Sequence, residues 1–118
     1  MIIKNGLVFQ EDGSFVKKDL YIENGRLAAS EAEVSDKTEY DAEGLKVLPG
    51  LVDVHSHGAF GHDFCDADPE GLKVILKYEK EHGITSYCPT SMTLAKDRLM
   101  DIFATATKVE PEIGRAHV

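Results

Sequence analysis

No stretch of this sequence approaches the roughly 18 consecutive apolar residues that a membrane span needs, so no transmembrane helix is expected. The opening Met1-Ile2-Ile3-Lys4-Asn5-Gly6 has no apolar run of the length a secretory leader requires. Cysteine is scarce. Cys65 and Cys88 form no Cys-x-x-Cys pair, are too few for a disulfide framework and suit a reducing compartment, a single bridge between them being the less favoured alternative. Together these absences lead us to expect a cytoplasmic protein. Basic residues are outnumbered, with 13 Lys and Arg against 21 Asp and Glu and a formal charge of −8, and they do not cluster. That balance lacks the electrostatic footprint of a nucleic-acid or anionic-membrane binder, and neither is expected as a partner. A Walker-type glycine-rich phosphate loop is also missing.

What is present suits a globular domain of modest size: 118 residues, 42% hydrophobic, with 10 glycines. Residues 1–49 read as short strands, because β-branched and aromatic residues recur between the turn signals Asn5-Gly6, Asp12-Gly13 and Asn24-Gly25. The clearest hairpin centres on Asn24-Gly25, where Leu20 and Ile22 alternate with Tyr21 and Glu23 and Leu27 begins the return arm. One face of that hairpin is expected to be buried. A third extended stretch, Thr38 to Leu48, leads into the turn Leu48-Pro49-Gly50, which marks a structural boundary.

Beyond the boundary, strand alternates with helix. Leu51-Val52-Asp53-Val54 is a short apolar strand. Asp68-Pro69-Glu70 supplies an N-cap, a first-turn Pro and an acidic start for a helix from about Pro69 to His82, with Leu72, Ile75 and Leu76 as its buried stripe and Gly83 as its stop. A second strand follows from Ile84 to about Cys88. Thr93 is placed to cap a second helix with apolar positions Leu99, Ile102, Phe103 and Ala106, ending near Val109 before Pro111. Arg115 to Val118 then reads as the start of a third strand. The order β-α-β-α-β implies parallel strands in an α/β fold.

The strongest chemical signal is Asp53-Val54-His55-Ser56-His57-Gly58. Residues i and i+2 of a strand share a face, so the imidazoles of His55 and His57 can bind one cation. Asp53 shares their parity and is better suited to orienting an imidazole or a neighbouring backbone group. The spacing alone leaves open that both histidines are simply polar residues at a strand end. Two ligands do not complete a catalytic zinc site, which normally takes three from the protein.

The segment from Leu48 to His57 resembles the Pro-Gly-hydrophobic-hydrophobic-Asp-x-His-x-His opening of the amidohydrolase superfamily, in which a small β-sandwich precedes a metal-bearing (β/α)₈ barrel. Dihydroorotases and hydantoinases share that opening. Two further runs, His57-Gly58-Ala59-Phe60-Gly61-His62-Asp63-Phe64 and Gly83-Ile84-Thr85-Ser86-Tyr87-Cys88-Pro89-Thr90-Ser91-Met92-Thr93, resemble the N-acetylglucosamine-6-phosphate deacetylase family. The resemblance implies residues 1–49 as a small β-sandwich part and residues 50–118 as the beginning of a metal-dependent hydrolase barrel. By the same resemblance His55 and His57 would hold a divalent ion, zinc or iron, at the C-terminal end of the first barrel strand. The implied reaction is hydrolysis of the acetamide of N-acetylglucosamine 6-phosphate, with an amino-sugar phosphate as substrate and a homo-oligomer as assembly.

A complete barrel needs about 250 residues, whereas about 69 follow Pro49, enough for two strand–helix units and the start of a third strand. The family's His-x-Glu-Gly-Pro ligand, its two later histidines and its catalytic aspartate have no counterpart here. No catalytic residue is therefore assigned, and the chain by itself is expected to be inactive, with unpaired sheet edges that favour association. His62, in the glycine-containing loop after the first strand, is a weak substrate-binding candidate beside the plainer reading of a solvated loop histidine. His82 suits a helix-end cap. His117 has no spacing partner, and Cys88 reads as a buried apolar thiol. Thr90, Ser91 and Thr93 follow the second strand on the same face. The alternatives are another amidohydrolase of dihydroorotase or hydantoinase type, and a non-catalytic truncated module that keeps the two histidines as structural residues.

Overall fold

The computed structural model describes residues 1–109 and 114–115, and the chain divides into two compact units, Met1–Pro49 and Gly50–Val118. In the first unit, β1 (Ile2–Phe9), β2 (Phe15–Glu23), β3 (Arg26–Ala28), β4 (Glu39–Asp41) and β5 (Lys46–Val47) form one mixed sheet in the order β3-β2-β1-β4, with β5 also on β1. Among the described residues this unit holds a single sheet. Asn24 and Gly25 both take positive φ, 51° and 73°, the pairing that a two-residue type I′ hairpin requires. Its strands register Glu23 with Arg26 and Ile22 with Leu27.

Two details differ from the sequence expectation. Leu27 is 71% exposed, and Leu20, Tyr21, Ile22 and Glu23 are all half-buried, so the hairpin has no cleanly buried face. The stretch 38–48 is not one strand either. β4 and β5 both run parallel to β1, pairing Ile2 with Glu39 and Leu7 with Lys46. The β4–β5 side of that ladder is two residues longer than the β1 side, and the excess is taken up in a turn where Leu45 N–H donates to the Ala42 carbonyl at 2.9 Å. Ile2, Val8, Val34 and Ala42 are the buried hydrophobic residues of this unit among those described.

The second unit runs β6 (Leu51–Ser56), a small hairpin of β7 (Gly58–Ala59) and β8 (His62–Asp63), α1 (Pro69–Glu81), β9 (Ile84–Pro89), α2 (Lys96–Ala106) and β10 (Gly114–Arg115). β6, β9 and β10 make a parallel three-stranded sheet in the order β10-β9-β6. The Asp68 carboxylate accepts the N–H groups of Glu70 and Gly71 at 3.0 and 3.1 Å, satisfying donors that a helix start leaves orphaned. Gly83, at φ 84°, ends α1 in the left-handed region that a side chain disfavours. Leu72 and Ile75 are buried as the stripe predicts. Leu72 joins Phe64, Ile102 and Val109 in one core cluster, and Ile75 meets Tyr87 of β9 in another.

Helix α2 departs from its expected bounds. Its N-cap is Ala95 and Thr93 is exposed, because the first intrahelical bond runs from Leu99 N–H to the Ala95 carbonyl. The helix ends at Ala106, and Val109 is buried beyond it at 2% exposure. Phe103 is 48% exposed, leaving Ile102 as the helix's buried anchor. Strand β6 extends two residues past the apolar run to Ser56. His117 and most of the third strand expected at 115–118 lie outside the described residues. Among the described residues, no helix is long and apolar enough to cross a membrane.

Candidate metal centre

His55 lies near the C-terminal end of β6, and His57 follows one residue after the strand ends at Ser56. Their ring centroids are 5.1 Å apart with planes at 89°, so the i, i+2 spacing does bring the two imidazoles side by side. Asp53 Oδ1 accepts the backbone N–H of His55 at 2.9 Å. The carboxylate thus fixes the strand end that carries the first imidazole, the supporting role its position suggested. The backbone of His57 is held by its own carbonyl, which accepts Phe64 N–H at 2.7 Å.

The ring of His57 is held as well. Its Nδ1 lies 2.8 Å from the Thr90 carbonyl oxygen, and a carbonyl can only accept, so Nδ1 carries the proton. In the neutral ring the free lone pair is then on Nε2, the arrangement found in metal-ligating histidines whose other nitrogen donates to a carbonyl. Thr90 N–H donates in turn to the Ser56 carbonyl at 2.8 Å, so the end of β9 reaches the end of β6 at the point where the two histidines project. The pair therefore fits a divalent ion in donor chemistry. Among the described residues, no group of three His, Cys, Asp or Glu side chains is placed to hold one.

The remaining candidates are set elsewhere. His62, half-buried on β8, packs over the first turn of α1, where a Cβ on Gly71 would stand 2.7 Å from the His62 Nδ1. His82 closes α1, with Nδ1 2.8 Å from the Tyr78 carbonyl and its ring 4.1 Å from that of Tyr78. This is the helix-end interaction its position suggested. Cys65 and Cys88 are free thiols, and Cys65 Sγ accepts Met92 N–H at 3.1 Å. Thr90 and Ser91 are half-buried.

One group went unnoticed in the sequence. Glu79 of α1 is 7% exposed, and burial pushes its carboxyl above the ordinary range, with the charge of Asp53 adding to the rise and His82 opposing it. Its place four residues after Ile75 on the same stripe is the signal that would have found it. The neighbouring Tyr87 hydroxyl, which donates to the Ser56 carbonyl at 3.4 Å, is likewise pushed up, chiefly by burial.

No family model matches the chain. N-acetylglucosamine-6-phosphate deacetylase from Bos taurus is 33% identical over 90 residues, covering 69% of this chain and 22% of its own length. The Lysinibacillus sphaericus enzyme of the same name is 30% identical over 99 residues, covering 82% and 26%. In sequence the chain is a homologue of the N-acetylglucosamine-6-phosphate deacetylases. It spans about a quarter or less of the curated deacetylases it matches. A dihydroorotase from Listeria innocua is 43% identical over 58 residues, covering 48% of this chain and 14% of its own. The crystal structure of the Pasteurella multocida deacetylase superposes with a TM-score of 0.75 at 20% identity, covering 91% of this chain and 29% of that one. The α/β fold with its mixed sheet is therefore shared with a deacetylase structure.

Proposed function

We propose that this chain supplies the opening elements of a metal-dependent amidohydrolase, and that the complete protein hydrolyses the acetamide of N-acetylglucosamine 6-phosphate to glucosamine 6-phosphate and acetate. In this reading Met1–Pro49 is part of the small β-domain, and the unit from Gly50 onward is the beginning of a (β/α)₈ barrel whose first strand is β6. The observation that carries the reading is the pair of adjacent imidazoles, His55 and His57, at the C-terminal end of a parallel strand, where barrel enzymes keep their active sites.

His55 and His57 would hold the divalent ion, zinc or iron, since imidazole suits either. Such an ion would polarise the amide carbonyl as a Lewis acid and lower the pKa of water, so that hydroxide is available as the nucleophile near neutral pH. The chain's own residues prepare the ligands: Asp53 pins the backbone of His55, and the Thr90 carbonyl aims His57. The general acid and the phosphate-binding groups are assigned to residues beyond this chain, so the chain alone is inactive. An amino-sugar phosphate is the substrate and a homo-oligomer the assembly. The two free thiols support a cytoplasmic setting.

The dihydroorotase relative favours a second reading, a cyclic-amide hydrolase built on the same opening strand. Assaying the longest open frame that contains this chain separates the two. Release of acetate from N-acetylglucosamine 6-phosphate, lost in His55→Ala and His57→Ala, is the expected result. Cleavage of dihydroorotate or a hydantoin without deacetylation would overturn it.

A further inference from the structure

We propose that the β7–β8 hairpin is a flap, latched back along α1 by the ring of Phe60 and able to swing over the end of β6 when that ring is released. Its turn is the first observation. Phe60 and Gly61 take φ values of 54° and 77°, close to the 51° and 73° of Asn24 and Gly25, so the same two-residue turn geometry occurs twice in the chain. At 24–25 it carries the Asn-Gly pair that such a turn prefers, whereas position 60 places an aromatic residue in a backbone region that bulky side chains disfavour. The turn itself has no use for that ring. Phe60 is 72% exposed, and its one ring partner among the described residues is Tyr78 of α1, edge to face at 5.0 Å and 79°. Backbone strain persists where surrounding structure holds it, and here the hold is the contact with Tyr78.

The direction of the hairpin is the second observation. His62 sits over Gly71, where a Cβ would come within 2.7 Å of its Nδ1, and Phe60 meets Tyr78 two helical turns, about 10 Å, further along α1. Because β6 and β9 are parallel, the helix between them runs back toward the N-terminal ends of the strands. The hairpin tip points with it, away from His55 and His57. Tyr78 is braced to receive the ring, with the His82 imidazole 4.1 Å from it and His82 Nδ1 2.8 Å from the Tyr78 carbonyl.

The base of the hairpin is a fixed pivot. There the His57 carbonyl accepts Phe64 N–H at 2.7 Å, and the Phe64 side chain is buried in the core cluster with Leu72 and Ile102. Between pivot and tip the ladder pairs Gly58 with Asp63 and Ala59 with His62, so the hairpin moves as one piece. Gly58, at φ 154° and with the His62 carbonyl where a Cβ would stand, supplies the backbone freedom of a hinge. Three extended residues reach about 10 Å, enough to carry the tip from α1 to the end of β6. A closed flap would exclude water from the histidine pair and bring His62 toward it. That role rests on the metal reading above, whereas the latch does not.

The test is proton and nitrogen-15 NMR of the 118-residue chain beside Phe60→Asn, which gives the turn the pair found at 24–25 and removes the ring, and Tyr78→Leu, which keeps Phe60 and removes its partner. The wild type should show through-space contacts between the Phe60 and Tyr78 rings and a rigid tip, with an order parameter near about 0.85 at Gly61. In both variants that value should fall below about 0.6. The His62–Gly71 contact should weaken, contacts from residues 60–62 to the His55 or His57 ring should appear, and the signals of β9 and of Leu72 and Ile75 should stay in place. A tip that remains rigid on α1 in both variants would make Phe60 an ordinary turn residue and overturn the latch. A tip that loosens without meeting either imidazole would overturn the flap. Zinc added to the wild type reports on the other reading by itself: no response of either imidazole would remove the metal site and leave the latch standing.

Discussion

Gly71→Ala should change the sign of its effect according to the residue at position 62. Gly71 is buried in the first turn of α1, where replacing glycine by alanine ordinarily gains about 1 kcal/mol of helix propensity. Here the new Cβ would stand 2.7 Å from His62 Nδ1 and 3.0 Å from the Asp68 Oδ2 that caps the helix. Forcing a methyl into such a space costs about 1–3 kcal/mol. The clash outweighs the propensity, so Gly71→Ala should lower stability by about 1 kcal/mol on balance of those two ranges. In a His62→Ala background the closest contact is gone and only the looser approach to Asp68 remains, so the same substitution should be neutral or gain up to about 1 kcal/mol. Urea unfolding of the four proteins, compared at constant m, gives the cycle. A coupling of about 1–3 kcal/mol between the two positions is expected. Equal effects of Gly71→Ala in both backgrounds would refute the clash and release His62 from its packing role.

Asp68→Ala removes the acceptor of two first-turn N–H groups and should cost about 1 kcal/mol in urea unfolding, with Asp68→Asn close to wild type. Glu79→Gln should stabilise the chain near neutral pH. Burial and Asp53 raise the folded carboxyl above its usual 4.5, opposed only by His82, while Tyr87, which also faces it, is protonated at these pH values. The folded state thus holds the proton more tightly than the unfolded chain does. Wild-type stability is then full below the ordinary glutamate value and falls as pH rises through the raised one, by about 1.4 kcal/mol for each pH unit that separates the two. Glutamine does not titrate, so its advantage should appear across that rise and vanish in acid. Parallel melting-temperature curves between about pH 4 and 8 would contradict burial as the cause.

Local chemistry was legible where one residue type decides the outcome. Asp68, Pro69 and Gly83 delimited α1, and Asn24-Gly25 fixed a two-residue hairpin, because few residues can occupy those backbone states. Elements set by partners distant in sequence were not. The break between β4 and β5 follows from their pairing with β1. The start of α2 was missed for a local reason, since the helix opens on a backbone bond from Leu99 to Ala95 with no side-chain cap. In the candidate site, the adjacency of His55 and His57 was readable from strand parity. The Thr90 carbonyl was not, since it approaches from 33 residues away and any residue would supply the same atom.

Strand β6 is more apolar than its surroundings call for. Asp53 is registered with Tyr87, and Tyr87 packs against Ile75 of α1, so that side of the strand is covered by the helix. Val52 and Val54 are 54% and 72% exposed, and Leu51 is 57% exposed. A strand wetted on one side would alternate apolar with polar residues, whereas parallel strands buried on both sides read as near-continuous apolar runs. β6 alternates from Val52 to His55, yet among the described residues its apolar side, that of Val52 and Val54, is the uncovered one. Val52 and Val54 therefore form an apolar strip that the described residues leave open, in a chain whose deacetylase relatives extend several times further than the region it matches.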